Sequence, residues 1–122
     1  MINVRQLFDQ DTWTYTYLIF DGESKESVLI DPVLEKTNRD LSLVEKLDLT
    51  LIGVLETHVH ADHITAAKEI RNKTGVKIYY GSKTGVKGAD VLLGDGDQIR
   101  LGDHYISAIH TPGHTEGCIT YF

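Results

Sequence analysis

The stretch "LETHVHADHITAA", residues 55–67, places three histidines and an aspartate within six positions: His58, His60, Asp62 and His63. Imidazole nitrogens suit zinc and iron, and a carboxylate adds negative charge to offset a cation. The spacing serves that chemistry. His58 and His60 are two apart and share one face of an extended segment. Asp62 and His63 then open a helix and project from its first turn. Four ligand-type side chains can so converge on one point or on two adjacent points. A polar helix cap flanked by solvated histidines would account for one such histidine. It does not account for the cluster, whose imidazoles would repel at mildly acidic pH unless a metal held them together.

A second group lies about fifty residues on, in "IHTPGHTEGC". Pro112 and Gly113 force a tight loop after a strand ending at Ile109, and His114 sits just past it. Taken with the first motif, His114 reads as a further metal ligand. His110 closes the strand and either supports a ligand from behind or belongs to the core. His104 follows Gly102-Asp103 in a turn and is expected to face solvent. Asp31, in "LIDP", ends a strand at the same sheet edge as the first motif. An Asx turn before Pro32 and a supporting role behind a metal ligand are both open to it. Cys118 reads as an inert strand cysteine, with modification near the site as the alternative.

These side chains need elements to carry them. "VRQLF", "YTYLIF" and "SVLIDP" read as three short strands separated by turn chemistry at Asp21-Gly22 and ended by Pro32. One face of the second strand, bearing Tyr15 and Tyr17, is expected in the core. "KTNRDLSLVEKLDL" places Leu41, Val44 and Leu47 on one helical face, with Thr37 or Asn38 as N-cap. "TLIGVLE" is a near-continuous apolar run of strand length, which suggests a strand buried on both faces and ending at Glu56 or Thr57. "ITAAKEIRNKTG" makes a second helix stopped at Gly75. "VKIYY" is a strand and "GSKTGVKGAD" a loop. "VLLGDGDQIRLGDHYISAIH" reads as short antiparallel strands around Gly-Asp turns. "CITYF" begins one more strand, whose open edge suggests that a second half is needed to cover it. The class is α+β or α/β.

Composition narrows the partners. The 122 residues carry a formal net charge of −6 without a Lys/Arg cluster, which argues against nucleic acid and against an anionic membrane surface. No apolar run approaches a membrane span and the N-terminus lacks a signal-peptide layout. One cysteine excludes an internal disulfide framework, so a cytoplasmic setting is the default.

Together, His58, His60, Asp62, His63 and His114 resemble the H-x-H-x-D-H and Gly-His-loop pattern of the metallo-β-lactamase superfamily. Within it the chain looks most similar to the persulfide dioxygenases, on "RQLFD", "TYTYLI", "VLIDPV", "ETHVHADHITAA", "ADVLLGDGDQIRLG" and "HTPGHTEGCITY". The resemblance implies the first half of a four-layer αββα sandwich, with a mixed, mostly antiparallel sheet and two helices. It implies a metal-binding oxidoreductase that oxidises glutathione persulfide to sulfite with O2. A single Fe(II) would be held by His58, His114 and an aspartate from a later strand. His60, Asp62 and His63 would then tune or orient the ligands. In that family an acidic residue at the position of Asp31 stands near the metal, and a cysteine at that of Cys118 follows the Gly-His loop.

A resemblance to glyoxalase II implies a rival, a thioester hydrolase. It would hold one or two zinc ions, with His58, His60 and His114 on one and Asp62 and His63 on the other. A third reading is a non-catalytic half-domain that binds a metal or a partner. On any of these readings the 122 residues are expected to need a second half-domain or a second copy of the chain.

Overall fold

In the computed structural model, residues 2–9, 14–33, 36–57, 61–81, 90–110 and 119–121 are described, and the side chains at 9, 14, 61–66, 110 and 119–121 lie outside the description. The elements are β1 (Ile2–Asp9), β2 (Thr14–Asp21), β3 (Glu26–Ile30), α1 (Thr37–Lys46), β4 (Thr50–Leu55), α2 (Ala61–Thr74), β5 (Lys77–Gly81), β6 (Val91–Leu93), β7 (Gln98–Leu101), β8 (His104–His110) and β9 (Ile119–Tyr121). They form a six-stranded sheet in the order β1-β2-β3-β4-β5-β6 and a three-stranded sheet in the order β7-β8-β9. Antiparallel pairings outnumber parallel ones by four to three. The parallel ones all lie in β3–β6, where α1 supplies the crossover from β3 to β4 and α2 that from β4 to β5.

Strand alternation decides which face each residue serves. Leu18, Leu29, Val54, Ile78 and Tyr80 point to one side of the large sheet, where Val44 of α1 and Ala67 and Ile70 of α2 close over them. Leu41 and Leu47 join this cluster, so the helical face read in α1 is the one that packs. Val28, Ile30 and Leu55 point to the other side and meet Ile99, Leu101, Ile106 and Ala108 of the small sheet. Helices, large sheet and small sheet therefore stack as three successive layers.

Four local expectations need correction. The N-cap of α1 is Lys36, with no side-chain cap bond, because Thr37 is turned into the interior instead. Segment 91–93 does not form a hairpin with β7 but adds to the large sheet, parallel to β5. The tyrosine face of β2 is core only in part: Tyr17 packs against the cluster between the sheets while Tyr15 is 48% exposed, and Thr16 on the opposite face is enclosed. β4 is buried only over its second half, Gly53 to Leu55. The stop at Gly75 holds: its φ is 77°, and its N–H donates to the Arg71 carbonyl at 2.7 Å. The loop 82–89 lies outside the described residues.

The two sheets are joined by a pair of interlocked turns. The Gly102 N–H, in the turn between β7 and β8, donates to the Glu26 carboxylate at the start of β3 at 2.7 Å. Gly102 has a φ of 60°, and a Cβ there would land on the Asp21 carboxylate. That carboxylate is engaged by the backbone N–H of Ser24 at 3.1 Å, and the Ser24 bonds hold Asp21 well below the usual carboxylate range. Gly102→Ala should therefore combine left-handed strain of about 1 kcal/mol with a clash of about 1–3 kcal/mol. Urea unfolding is expected to show a lower midpoint at unchanged slope. An unchanged midpoint would show that the interlock contributes nothing.

Candidate metal-binding site

The site begins where β3 and β4 run out. In register, Ile30 stands beside Leu55 and Leu55 beside Tyr79. One position further, the ladder continues past the strand ends: the Asp31 N–H donates to the Leu55 carbonyl at 2.9 Å, and the Glu56 N–H to the Tyr79 carbonyl at 3.0 Å. Thr16, opposite Asp31 in the continuation of the β2–β3 register, donates its hydroxyl to the Asp31 carbonyl at 2.8 Å. Thr16, Asp31, Glu56 and Tyr80 thus form one transverse row across four strands. All four are buried, on a sheet side otherwise filled by Leu18, Leu29, Val54 and Ile78.

Asp31 is the centre of this row. Its φ is 54°, in the left-handed region that costs a residue other than glycine about 1 kcal/mol. That turn of the backbone sends its carboxylate across to β4, where Oδ1 accepts the Thr57 N–H at 2.8 Å and Oδ2 accepts the Thr57 hydroxyl. The carboxylate thereby fixes the residue immediately before His58, in the turn that leads to α2.

Sequence reasoning missed Glu56, reading it only as a strand end. Its side chain is 0% exposed beside the Asp31 carboxylate. Burial, then the neighbouring Asp31 charge, push its carboxyl well above the ordinary value, so it keeps its proton where exposed glutamates have lost theirs. Tyr80, beside it, is pushed up by burial and then by the same two carboxyls. Between the unfolded carboxyl value and the raised folded one, the native state holds a proton that the unfolded chain releases, so stability falls as pH rises through that window. Glu56→Gln should remove that downward slope in metal-free protein. Stability curves taken from pH 4 upward that kept the same slope in the variant would contradict the assignment.

Asp62 and His63 fall in the first turn of α2, as the motif requires. His58, His60, His114 and Cys118 lie outside the described residues, as do the side chains of Asp62, His63 and His110. Among the described residues, no three His, Cys, Asp or Glu side chains are grouped as a metal site. His104 starts β8 and is exposed, as expected; His110 ends it. Ala108 shares a buried cluster with Ile30 and Leu55, the last apolar residues of β3 and β4. The strand leading to the 111–118 segment therefore packs against the strands leading to the first motif. The donor chemistry of the two motifs, imidazoles with one carboxylate, fits Fe(II) or zinc. The Asp31–Thr57 bonds fix the residue that precedes the first motif in the sequence.

Residues 14–122 fit the metallo-beta-lactamase superfamily, and the chain belongs to it. Among individual proteins, it is 44% identical over 119 residues to the mitochondrial persulfide dioxygenase ETHE1 of Mus musculus, covering 97% of this chain and 46% of that protein. It is 36% identical over 110 residues to the cytoplasmic hydroxyacylglutathione hydrolase of Arabidopsis thaliana, covering 88% of this chain and 42% of that protein. The crystal structure of ETHE1 from Myxococcus xanthus superposes with a TM-score of 0.91 at 47% identity, over 98% of this chain and 53% of that one. The chain thus spans about half the length of these relatives. No described helix is long and apolar enough to cross a membrane.

Proposed function

We propose that the chain is the ligand-bearing portion of an Fe(II)-dependent persulfide dioxygenase. The observation that carries this reading is the identity to proteins named persulfide dioxygenase, 43–44% in three mammals over 97–98% of the chain, against 36% to the hydroxyacylglutathione hydrolase. The reaction takes glutathione persulfide, O2 and water to glutathione, sulfite and two protons. The terminal sulfur is oxidised, O2 is reduced, and the S–S bond breaks with its electrons leaving on the glutathione sulfur.

When bound, Fe(II) supplies a site that activates O2 beside the persulfide. The chain's own residues do the rest. His58 and His114 hold the metal. Asp31 holds Thr57 and so the start of the ligand turn. His60, Asp62 and His63 stand next to the ligands and orient them, and His110 supports the second loop. The remaining ligand, a carboxylate, comes from protein beyond these residues or from a second copy, and the setting is cytoplasmic.

One observation favours a second reading, a dinuclear zinc thioester hydrolase. All five residues that such a site would draw from this chain are present, and the hydroxyacylglutathione hydrolase is among the relatives. Anaerobic purification with metal analysis, then oxygen uptake on glutathione persulfide beside cleavage of S-lactoylglutathione, separates the two. Iron with oxygen uptake is expected. Rapid thioester cleavage without oxygen uptake would reverse the ranking.

A further inference from the structure

We infer that Glu56 is a positioning residue for the metal turn, acting through Asp31: it backs the Asp31 carboxylate so that Asp31 holds Thr57, the residue before His58, in place. The inference rests on the metal-binding reading above, but its observations are separate from it.

The first observation is placement. Glu56 occupies the middle of the row Thr16–Asp31–Glu56–Tyr80, with Asp31 on one side and Tyr80 on the other. Its backbone is fixed by the Tyr79 carbonyl, so its side chain has little freedom to leave the row. The second is energetic. The neighbouring rows on this side of the sheet are apolar, Leu18, Leu29, Val54 and Ile78. A leucine or methionine at 56 would continue them and would bury no carboxyl. Placing one beside the Asp31 carboxylate sacrifices stability that an apolar residue would supply. Asp40 of α1 is a buried carboxyl as well, but it has the Arg39 guanidinium beside it; at Glu56 the neighbour is a second carboxylate, a pattern common to groups kept for function.

The third observation is the range of contact. Asp31 makes the bonds to Thr57 with both oxygens, so anything that turns the Asp31 carboxylate also turns the residue preceding His58. Glu56 stands next to Asp31 in the register and is fully enclosed, and Tyr80 closes the row behind it. A glutamine at 56 preserves the shape and a polar head group. A leucine preserves only the bulk.

The test uses cobalt(II) as the probe, bound to the metal-free full chain. Its visible bands report coordination geometry, and chelator competition gives its affinity. Glu56→Leu is expected to weaken cobalt binding on the order of 10–100-fold and to shift the bands. Glu56→Gln should restore both to near the wild type. A folded Glu56→Leu protein with wild-type affinity and wild-type bands would overturn the inference and leave the metal reading standing. Wild-type protein that binds no cobalt would overturn the metal reading and this inference with it. Should the leucine variant fail to fold, Glu56→Ala takes its place against Glu56→Gln. Equal affinity and equal bands in those two would also overturn it.

Discussion

The substitutions His58→Ala and His114→Ala are each expected to abolish stoichiometric iron binding in the full chain. A facial site that takes two imidazoles from this chain loses one of them, and the single remaining histidine with the outside carboxylate does not define a site. The two functional readings part at this point. In the mononuclear reading, His63→Ala leaves iron content near one per chain, because His63 only orients neighbours. In the dinuclear reading, His58→Ala leaves one metal on Asp62 and His63, and His63→Ala removes the other. Elemental analysis of the three variants decides between them. Full iron occupancy in both His58→Ala and His114→Ala would show the ligand assignment to be wrong.

Asp31→Ala should act almost as strongly without touching a ligand. It removes the acceptor for the Thr57 N–H and hydroxyl, two charge-assisted bonds of about 1.5–3 kcal/mol each in comparable settings. It also leaves alanine at a φ of 54°, where aspartate is better tolerated. Metal affinity is expected to fall on the order of 10–100-fold, with a lowered unfolding midpoint in metal-free protein. Asp31→Asn keeps an acceptor and the backbone tolerance, and should lie between the two. An Asp31→Ala protein with wild-type metal affinity would show that the turn holds its shape without this anchor.

The junction of β4 and α2 was legible because it breaks a strong pattern. An apolar strand-length run stops, polar side chains crowd together, and a helix begins; β4 and α2 fall where that pattern places them. Leu41, Val44 and Leu47 were legible for the same reason, a period that matches the helix. Glu56 was not. A charged residue at the end of an apolar run reads as a strand emerging into solvent, and only the register against Asp31 and Tyr80 shows that it stays inside. Segment 91–93 failed likewise: three residues before a Gly-Asp turn suggest a hairpin, whereas their pairing with β5 is set across the 82–89 segment. The tyrosine face of β2 was legible only in part: Tyr17 packs against the cluster between the sheets and Tyr15 stays exposed, and aromatic side chains outrank threonines in any local hydrophobic count. Yet Thr16 is held inside by its bond to the Asp31 carbonyl, a partner fifteen residues away.

The six strands of the large sheet stand side by side in the order in which the chain makes them. Each new strand pairs with the one just completed, across a turn, a helix or a loop, and none must wait for a distant segment to arrive. The antiparallel pairings of β1, β2 and β3 close over few residues, whereas the parallel pairings from β3 to β6 join segments a whole crossover apart and are the slower ones to form. During synthesis such a sheet can be laid down strand by strand as the polypeptide emerges. The anchor for the ligand turn, Asp31 at the end of β3, is then already in place when Thr57 reaches it.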